Sequence, residues 1–298
     1  MAGASASGPA DRFRFRRLEK PEEFRQAEEL QRTALGPEAA GVVPAPLQRS
    51  IQDHGGLVLG AFADIYLAGC SISTIGWDGA LLYHYSHVTA VRPEYRNHHL
   101  GFRLKTFQRD EVLRLGLTEI RWVFDPLVSR NAWLYVHRLA STPEPYLPHY
   151  FGQLPESGEA GTETDRLRTR WGLTQPAVEE RLGRPAGDRP DDRPRWDAAA
   201  PIVETEPGEN GLRLPSAVVE PDGPAAHLEI PFDLALIHQH EPTSVRRWRH
   251  AVRDAFRVAL DLHYAVDDFV VLNIDHERRS FYLLSRRPPV EPPAAPGA

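Results

Sequence analysis

The chain has a single cysteine, Cys70, among 298 residues. An intramolecular disulfide framework and a cysteine-rich zinc module are therefore excluded. Cys70 sits in an apolar, strand-like stretch and is expected in the core rather than as a nucleophile. Long hydrophobic runs are also missing, since none approaches the ~20 residues of a membrane-spanning helix. Met1–Ala10 is small and polar and lacks the apolar centre of a secretory signal. A cytoplasmic, reducing location with no membrane partner is the expectation. Basic charge is not in excess, the net charge being -6, so a nucleic-acid partner is not expected. No Gly-x-Ser-x-Gly elbow, Walker-type phosphate loop or internal repeat is present.

What remains is the composition of a folded protein. Hydrophobic residues make up 41% and charged residues 26%, which rules out wholesale disorder. The length suffices for one large domain, or for an average domain with a smaller one. Prolines crowd between Pro155 and Pro224, and Gly183–Asp197 is almost all Arg, Pro, Asp and Gly. That stretch reads as a linker or long surface insertion. The expected organisation is a disordered tail over 1–10, an α/β domain over 11–175, a proline-rich linker or insertion over 176–225, a small subdomain over 226–287 and a second tail over 288–298. The tails bury too little apolar surface to offset the entropy of ordering.

Local signals alternate in the first block. Phe13–Leu18 has period two and reads as a strand. Pro21–Leu35 reads as a helix with Phe24, Ala27 and Leu30 on one side and Gly36 as its stop. Leu47–His54 is a short helix closed by Gly55-Gly56. Gly56–Ala63, Ile65–Ile75 and Leu81–Val91 are strands, the last two joined by the turn Gly76-Trp77-Asp78-Gly79. Gly101–Leu115 is a helix ended by Gly116, Glu119–Phe124 a strand and Ser129–Leu139 a helix. The order is β-α-α-β-β-β-α-β-α. In the second block, His227–Pro231, Ala265–Ile274 and Ser280–Ser285 read as strands. Pro242–His263 is an amphipathic helix with Trp248, Val252, Ala255, Phe256, Ala259 and Leu260 on its apolar stripe. This β-α-β-β unit is too small for a strong core of its own and is expected to pack on the first block.

The run Ser86–Phe102 joins a strand, a tight loop and a helix start. A helix N-terminus presents unpaired N–H groups and a partial positive charge, which suit a phosphate. Gly101 lets the backbone come close to such a ligand. The preceding strand offers edge groups to an extended, amide-bearing ligand wherever its neighbour splays away.

Arg96-Asn97-His98-His99-Leu100-Gly101 resembles the Arg/Gln-x-x-Gly-x-Gly loop that holds the coenzyme A pyrophosphate in the GNAT acyltransferase superfamily. Val91-Arg92-Pro93-Glu94-Tyr95 resembles its lead-in. His99 stands where the family has the first Gly of the loop, so a Cβ and an imidazole lie where the family has neither. A narrower resemblance is to a subgroup of predicted acetyltransferases similar to amino-acid N-succinyltransferases. It runs through Gly55–Phe62, Ser86-His87, Phe124–Ala132, Tyr146–Pro148, Tyr150–Gly152, Thr164–Arg166, Glu229–Pro231, Trp248-Arg249 and Phe281–Leu284. The resemblance implies an α/β (α+β) fold, with a mixed, partly splayed GNAT-type sheet flanked by helices and a small C-terminal β-α-β-β addition. It also implies acyl-coenzyme A (acetyl-CoA or succinyl-CoA) as co-substrate, no metal, and N-acyl transfer to a small-molecule amine such as an amino acid by direct attack in a ternary complex. Backbone of Val88, Thr89, Ala90 and Val91 would bind pantetheine. Arg96, Asn97, His98, His99, Leu100, Gly101 and Phe102 would bind pyrophosphate, and Asn131 would bond the cofactor's amide.

Acyl transfer from a thioester to an amine needs a base for the amine proton and donors that polarise the carbonyl. His87, with a reference pKa of about 6.5, suits the base. Asp125, at the end of the next strand, would orient His87, relay a proton or bind an ammonium group. The family's proton-donating Tyr aligns with Val136. Tyr135 lies about 100° away around a helix and is the candidate donor. Arg130 and Arg166 offer forks for a carboxylate. Asp165 beside Arg166 reads as substrate-binding or as a structural ion pair, and Tyr146 as lining of the acceptor pocket. His84-x-x-His87 is a poor metal pair, because strand residues three apart face opposite ways. Arg246-Arg247-x-Arg249-His250-x-x-Arg253 reads as a solvated helix face or a contact with acidic groups. Two rival readings stand beside this one: a protein N-acetyltransferase, and a non-catalytic CoA-binding or interaction module favoured by His99 and the displaced tyrosine. The sequence leaves a homodimer open.

Overall fold

The computed structural model describes residues 12–35, 41–152, 163–185, 191–208 and 211–288. The expected tail over 1–10, all but the first residue of the tail over 288–298, and Gly36 lie outside them. In chain order the first elements are β1 (Phe13–Arg17), α1 (Pro21–Leu35), α2 (Ala45–Asp53), β2 (Leu57–Ala63), β3 (Tyr66–Trp77), β4 (Leu82–Val91), α3 (Leu100–Arg114), β5 (Glu119–Phe124) and α4 (Ser129–Ala132), which runs into a π-helical turn over Trp133–Arg138. Then follow β6 (Thr142–Leu147), β7 (Arg166–Gly172), α5 (Pro176–Gly183), α6 (Arg193–Asp197), β8 (Ala200–Pro201), β9 (Val203–Pro207), β10 (Arg213–Val218), β11 (Ala225–Ile230), α7 (Leu234–His240), α8 (Pro242–Asp261), β12 (Tyr264–Ile274) and β13 (Glu277–Arg286). The chain is mixed α/β, and the expected β-α-α-β-β-β-α-β-α order of the first block is present.

Two compact units divide these elements. Among the described residues, the first holds those up to 123 and 169–182. Its strands lie in the order β1-β2-β3-β4-β5-β7. β1 to β4 pair antiparallel with their sequence neighbours. β2 is buried along its whole length, because side chains from both of its faces are covered. One face meets α1 through Phe24, Ala27, Leu30, Val58, Ile72 and Val88. The other meets α3 through Ala61, Ala63, Ala68, Leu100 and Leu104. Full burial of one such large side chain contributes about 1.5–3 kcal/mol. Gly116 ends α3 with φ +78, a conformation that costs glycine least.

The second unit holds 124–152, 163–168 and 183–288 among the described residues. A four-stranded sheet has the order β12-β13-β11-β8, and β9 pairs with β10. Helix α8 buries Val245, Trp248, Val252, Ala255, Phe256 and Ala259, the predicted stripe with Val245 added and without Leu260, which is exposed. The segment after β5 is fastened to the C-terminal strands. Tyr282 donates to the Pro126 carbonyl (2.9 Å), Ser129 meets Ser280 (2.8 Å) and His137 meets Asp268 (3.0 Å). The C-terminal β-α-β-β elements thus share a unit with 124–152 rather than standing alone.

Three expectations need correction. The stretch 176–225, read as a linker or insertion, carries α5, α6 and β8 to β10 in its described part and so is more than a linker. Three of its prolines sit where strands tolerate them: Pro201 and Pro207 end β8 and β9, and Pro215 lies at a register slip in β10. Ile202, Val203 and Leu214 supply buried anchors. β6 and β7 were not expected. β6 has two prolines and an edge position, so its strand signal is weak. β7 alternates buried Leu167, Thr169 and Trp171 with exposed Arg168 and Arg170. Ser129–Leu139 is not one α-helix, since its second half is π-helical.

Candidate active site

β4 is the centre of the candidate site. Its ladder with β3 slips between Val88 and Ser86, leaving His87 as the extra, bulged residue. The contacts of its neighbours show the consequence. Val88 packs in the α1-side core, whereas the Ser86 hydroxyl meets Lys105 of α3 on the other face. In a regular strand, residues two apart share a face; the bulge reverses that. β4 pairs parallel with β5 only at His84–Ile120 and Tyr85–Arg121. The β5-facing backbone of Ser86–Val91 therefore lies outside that ladder.

His87 is exposed. Its Nε2 lies 2.8 Å from Thr74 Oγ1, and its ring stands edge-on to Tyr85 with centroids 4.9 Å apart. Although the side chain reaches solvent, the protein atoms crowded around it disfavour the imidazolium and hold its pKa below the usual histidine value. A neutral ring at neutral pH follows.

Beyond β4, a 3-10 turn over Pro93–Tyr95 leads into the loop. Asn97 and His99 both take the left-handed conformation, with φ +65 and +56. His98 Nδ1 donates to the Arg96 carbonyl (2.9 Å), and the His98 ring stands against Phe13. His99 is the N-cap of α3, which has no side-chain cap bond and no acidic residue in its first turn. By contrast, α1 carries Glu22 and Glu23 there. The first unit thus brings His87, Val88–Val91 and Arg96–Phe102 into one continuous strand–loop–helix feature.

The remaining expected site residues lie in the second unit, where ion pairs engage Asp125, Asp165 and Arg166. Asp125, expected to orient His87, relay a proton or bind an ammonium group, accepts from Arg249 Nη1 and Nη2 at 2.6 Å each and from the Leu127 N–H at 2.9 Å. Arg249 is 3% exposed. Burial opposes its charge, and the bond to Asp125 more than restores it, so its pKa is raised. Asp165 is fully buried. It accepts from Arg253 (2.9 Å from both Nε and Nη2), from Tyr146 Oη (2.6 Å) and from the His149 N–H (3.0 Å). Burial raises its pKa, and these donors lower it further than that. Tyr146 is buried with it. Arg166 donates to its neighbour's carbonyl (2.8 Å), covers the Phe151 ring and reaches within 3.9 Å of Asp125. Asp165 and Tyr146 are thus parts of a buried polar network, and Tyr146 also lines a pocket with Pro143, Leu167, Phe256 and Tyr264.

Tyr135 lies in the π-helical turn, its ring edge-on to Phe124 with centroids 5.2 Å apart. A π-turn has more residues per turn than an α-helix, so the angular offset expected of Tyr135 does not hold. Burial pushes its phenol up to about 12. Val136 is buried, Asn131 half-buried and Arg130 exposed. His149, Glu163 and Asp165 bring ligand atoms within 4.8 Å of one another, but Arg253 bonds both carboxylates. The basic stripe of α8, read as a solvated face or a contact with acidic groups, makes such contacts at Arg249 and Arg253, whose partners Asp125 and Asp165 the sequence did not name. The signal of the two arginines was present, since they lie four apart beside the apolar stripe of α8.

No family model matches the sequence. No curated protein matches it. Among solved structures, the chain is similar to the ribosomal-protein-S18-alanine N-acetyltransferase from Escherichia coli (18% identity, 55% of this chain and 95% of that one, TM-score 0.45). It is similar also to an aminoglycoside 6'-acetyltransferase type Ii (16%, 54% and 97%, 0.43) and to Arabidopsis thaliana NAA60 in complex with acetyl-CoA (12%, 54% and 99%, 0.43).

Proposed function

We propose that the chain is a coenzyme A-dependent N-acyltransferase acting on the amine of a small molecule, an amino acid or related metabolite, with an acetyl or succinyl donor. The observation that carries this reading is β4. It is bulged at His87, pairs with β5 at two positions only, and leads into an uncapped helix N-terminus free of acidic residues. The residues fit the coenzyme. Backbone of Val88–Val91 suits an extended amide chain, and the start of α3 suits a pyrophosphate. His99 already adopts the left-handed conformation that glycine serves in such a loop, so the imidazole replaces the glycine without rerouting the backbone. That favours a working loop over a degenerate one.

Acyl-coenzyme A, when bound, would supply an activated thioester, with coenzyme A thiolate as the leaving group. His87, neutral at neutral pH, takes the amine proton. With Thr74 accepting from Nε2–H, the Nδ1 lone pair is the one that receives it. Backbone N–H groups of β4 beyond the bulge polarise the carbonyl. We do not assign Tyr135 as the acid: a phenol near 12 is a weaker acid than a thiol near ~8.5, so proton transfer to a departing thiolate runs uphill. Asp125 we assign to holding Arg249.

The test is thermal unfolding with acetyl-CoA, succinyl-CoA and free CoA. A ligand at 100 times its Kd stabilises by ~2.7 kcal/mol. One acyl-CoA is expected to shift Tm more than free CoA, and His87→Ala to keep that shift while losing turnover. Absence of any shift with all three ligands overturns the proposal.

A further inference from the structure

Lys105 is a group that the proposed reaction does not use. It lies on α3, 1% exposed. Its Nζ donates to Gln108 Oε1 (2.9 Å) and to Ser86 Oγ (3.1 Å), and sits 4.0 Å from the centroid of the Trp122 ring. Among the described residues no carboxylate forms an ion pair with it. A buried amine without a counter-charge is costly, and an apolar side chain of similar length would fill the space at lower cost.

We propose that Lys105 is a positioning residue that ties α3 to β4 at the bulge. Ser86 immediately precedes His87, and the two side chains face opposite ways, as neighbours on a strand do. Lys105 holds Ser86 from the α3 side, while Thr74 holds His87 from the other. The same helix begins at the His99 loop. One buried amine therefore fixes the helix that starts at the loop against the strand that carries the base. Burial also pulls its pKa down to about 7, so the tie does not require a fully charged amine. The groups around it on this face are Ser86, Gln108, Trp122 and, two residues along β4, His84, which bonds Ser73 (3.1 Å). Gln108 Nε2 and His84 Nε2 are buried without a partner, which marks the cluster as polar beyond what packing needs. The inference rests in part on the acyltransferase reading.

The experiment compares wild type, Lys105→Met and Lys105→Gln by three readouts at pH 7: Tm, affinity for acetyl-CoA and succinyl-CoA, and the ring NMR signals of His87. Lys105→Met is expected to be at least as stable as wild type. It should nevertheless shift the His87 signals and lose roughly tenfold or more in acyl-CoA affinity, as displaced groups do. Lys105→Gln keeps an uncharged donor and should recover part of both. Wild-type His87 signals and affinity in Lys105→Met overturn the proposal. So does a variant that is destabilised with no recovery by Gln, since that marks a purely structural contact. If wild type binds neither acyl-CoA, the acyltransferase reading falls, and the His87 signals alone decide whether Lys105 positions the bulge.

Discussion

Asp125→Ala separates a structural carboxylate from a catalytic one. It removes both acceptors from the Arg249 guanidinium, whose side chain is 4% exposed. Arg249 Nε already lacks a partner, so the two 2.6 Å bonds to Asp125 are what offsets its desolvation. An uncompensated buried charge costs about 3–5 kcal/mol. For a unit of this size that lowers Tm by roughly 6–20 °C. The reverse change, Arg249→Met, is expected to cost less, about 2 kcal/mol. Asp125 is 14% exposed in its side chain and keeps the Leu127 N–H, with Arg166 3.9 Å away. The double variant should lose less than the sum, with a coupling of about 1–3 kcal/mol. Urea unfolding followed by tryptophan fluorescence gives the stabilities, and turnover is measured per folded molecule. The reasoning is refuted if Asp125→Ala stays within about 0.5 kcal/mol of wild type and yet abolishes turnover, for then the carboxylate acts in the chemistry.

The left-handed His99 predicts a second pair of variants. A non-glycine residue there costs about 1–2 kcal/mol, against about 0.5–1 kcal/mol for the extra freedom of glycine when unfolded. His99→Gly should therefore raise stability by up to about 1 kcal/mol and keep acyl-CoA affinity, while β-branched His99→Val should lose both; a Val variant equal to wild type would contradict the assignment. Acid should weaken both units. His84 and His227 are buried and held down to about 4, mainly by desolvation and secondarily by Arg17 and Arg279 respectively. Because the folded pKa lies below the unfolded value near ~6.5, their stabilisation is complete above pH 6.5 and is lost as pH falls toward 4, by up to about 3 kcal/mol each. His84→Asn should flatten that slope in urea titrations, and an unchanged slope would count against it. Cys70 is fully buried and its thiol is pushed up to about 12 by desolvation, so native protein at pH 8 should resist alkylation until unfolded; prompt labelling would place the thiol elsewhere.

The fold was legible where local and global demands agree. Phe24, Ala27 and Leu30 recur at helical spacing because one side of α1 faces the sheet. The α8 stripe is legible for the same reason. Legibility failed where a rule of thumb stood in for geometry. Prolines in 176–225 suggested a linker or insertion without regular elements, yet proline is excluded only from strand interiors that must donate, and Pro201 and Pro207 end their strands. The π-helical turn at Trp133–Arg138 carries no sequence mark, because its extra residue per turn is set by the backbone's tertiary surroundings.

The site divides along the same line. Val88–Val91 and Arg96–Phe102 are contiguous, and a strand, a loop and a helix start can be read from consecutive residues. The bulge at His87 could not be read, because it is defined by β3's register and not by β4's own sequence. Asp125 and Asp165 carried the least sequence information. A carboxylate's role depends on its nearest cation, and Arg249 and Arg253 lie 124 and 88 residues away along the chain. The amphipathic pattern of α8 put both arginines on a polar face, which is the ordinary solvated case. What overrides it is charge matching across that separation: Arg249 is buried only because Asp125 meets it with two oxygens. Sequence alone names the residue types able to do acyl-transfer chemistry. Pairing decides which of them stay within reach of solvent: His87 is exposed with one ring nitrogen bonded to Thr74, whereas both Asp125 oxygens meet Arg249.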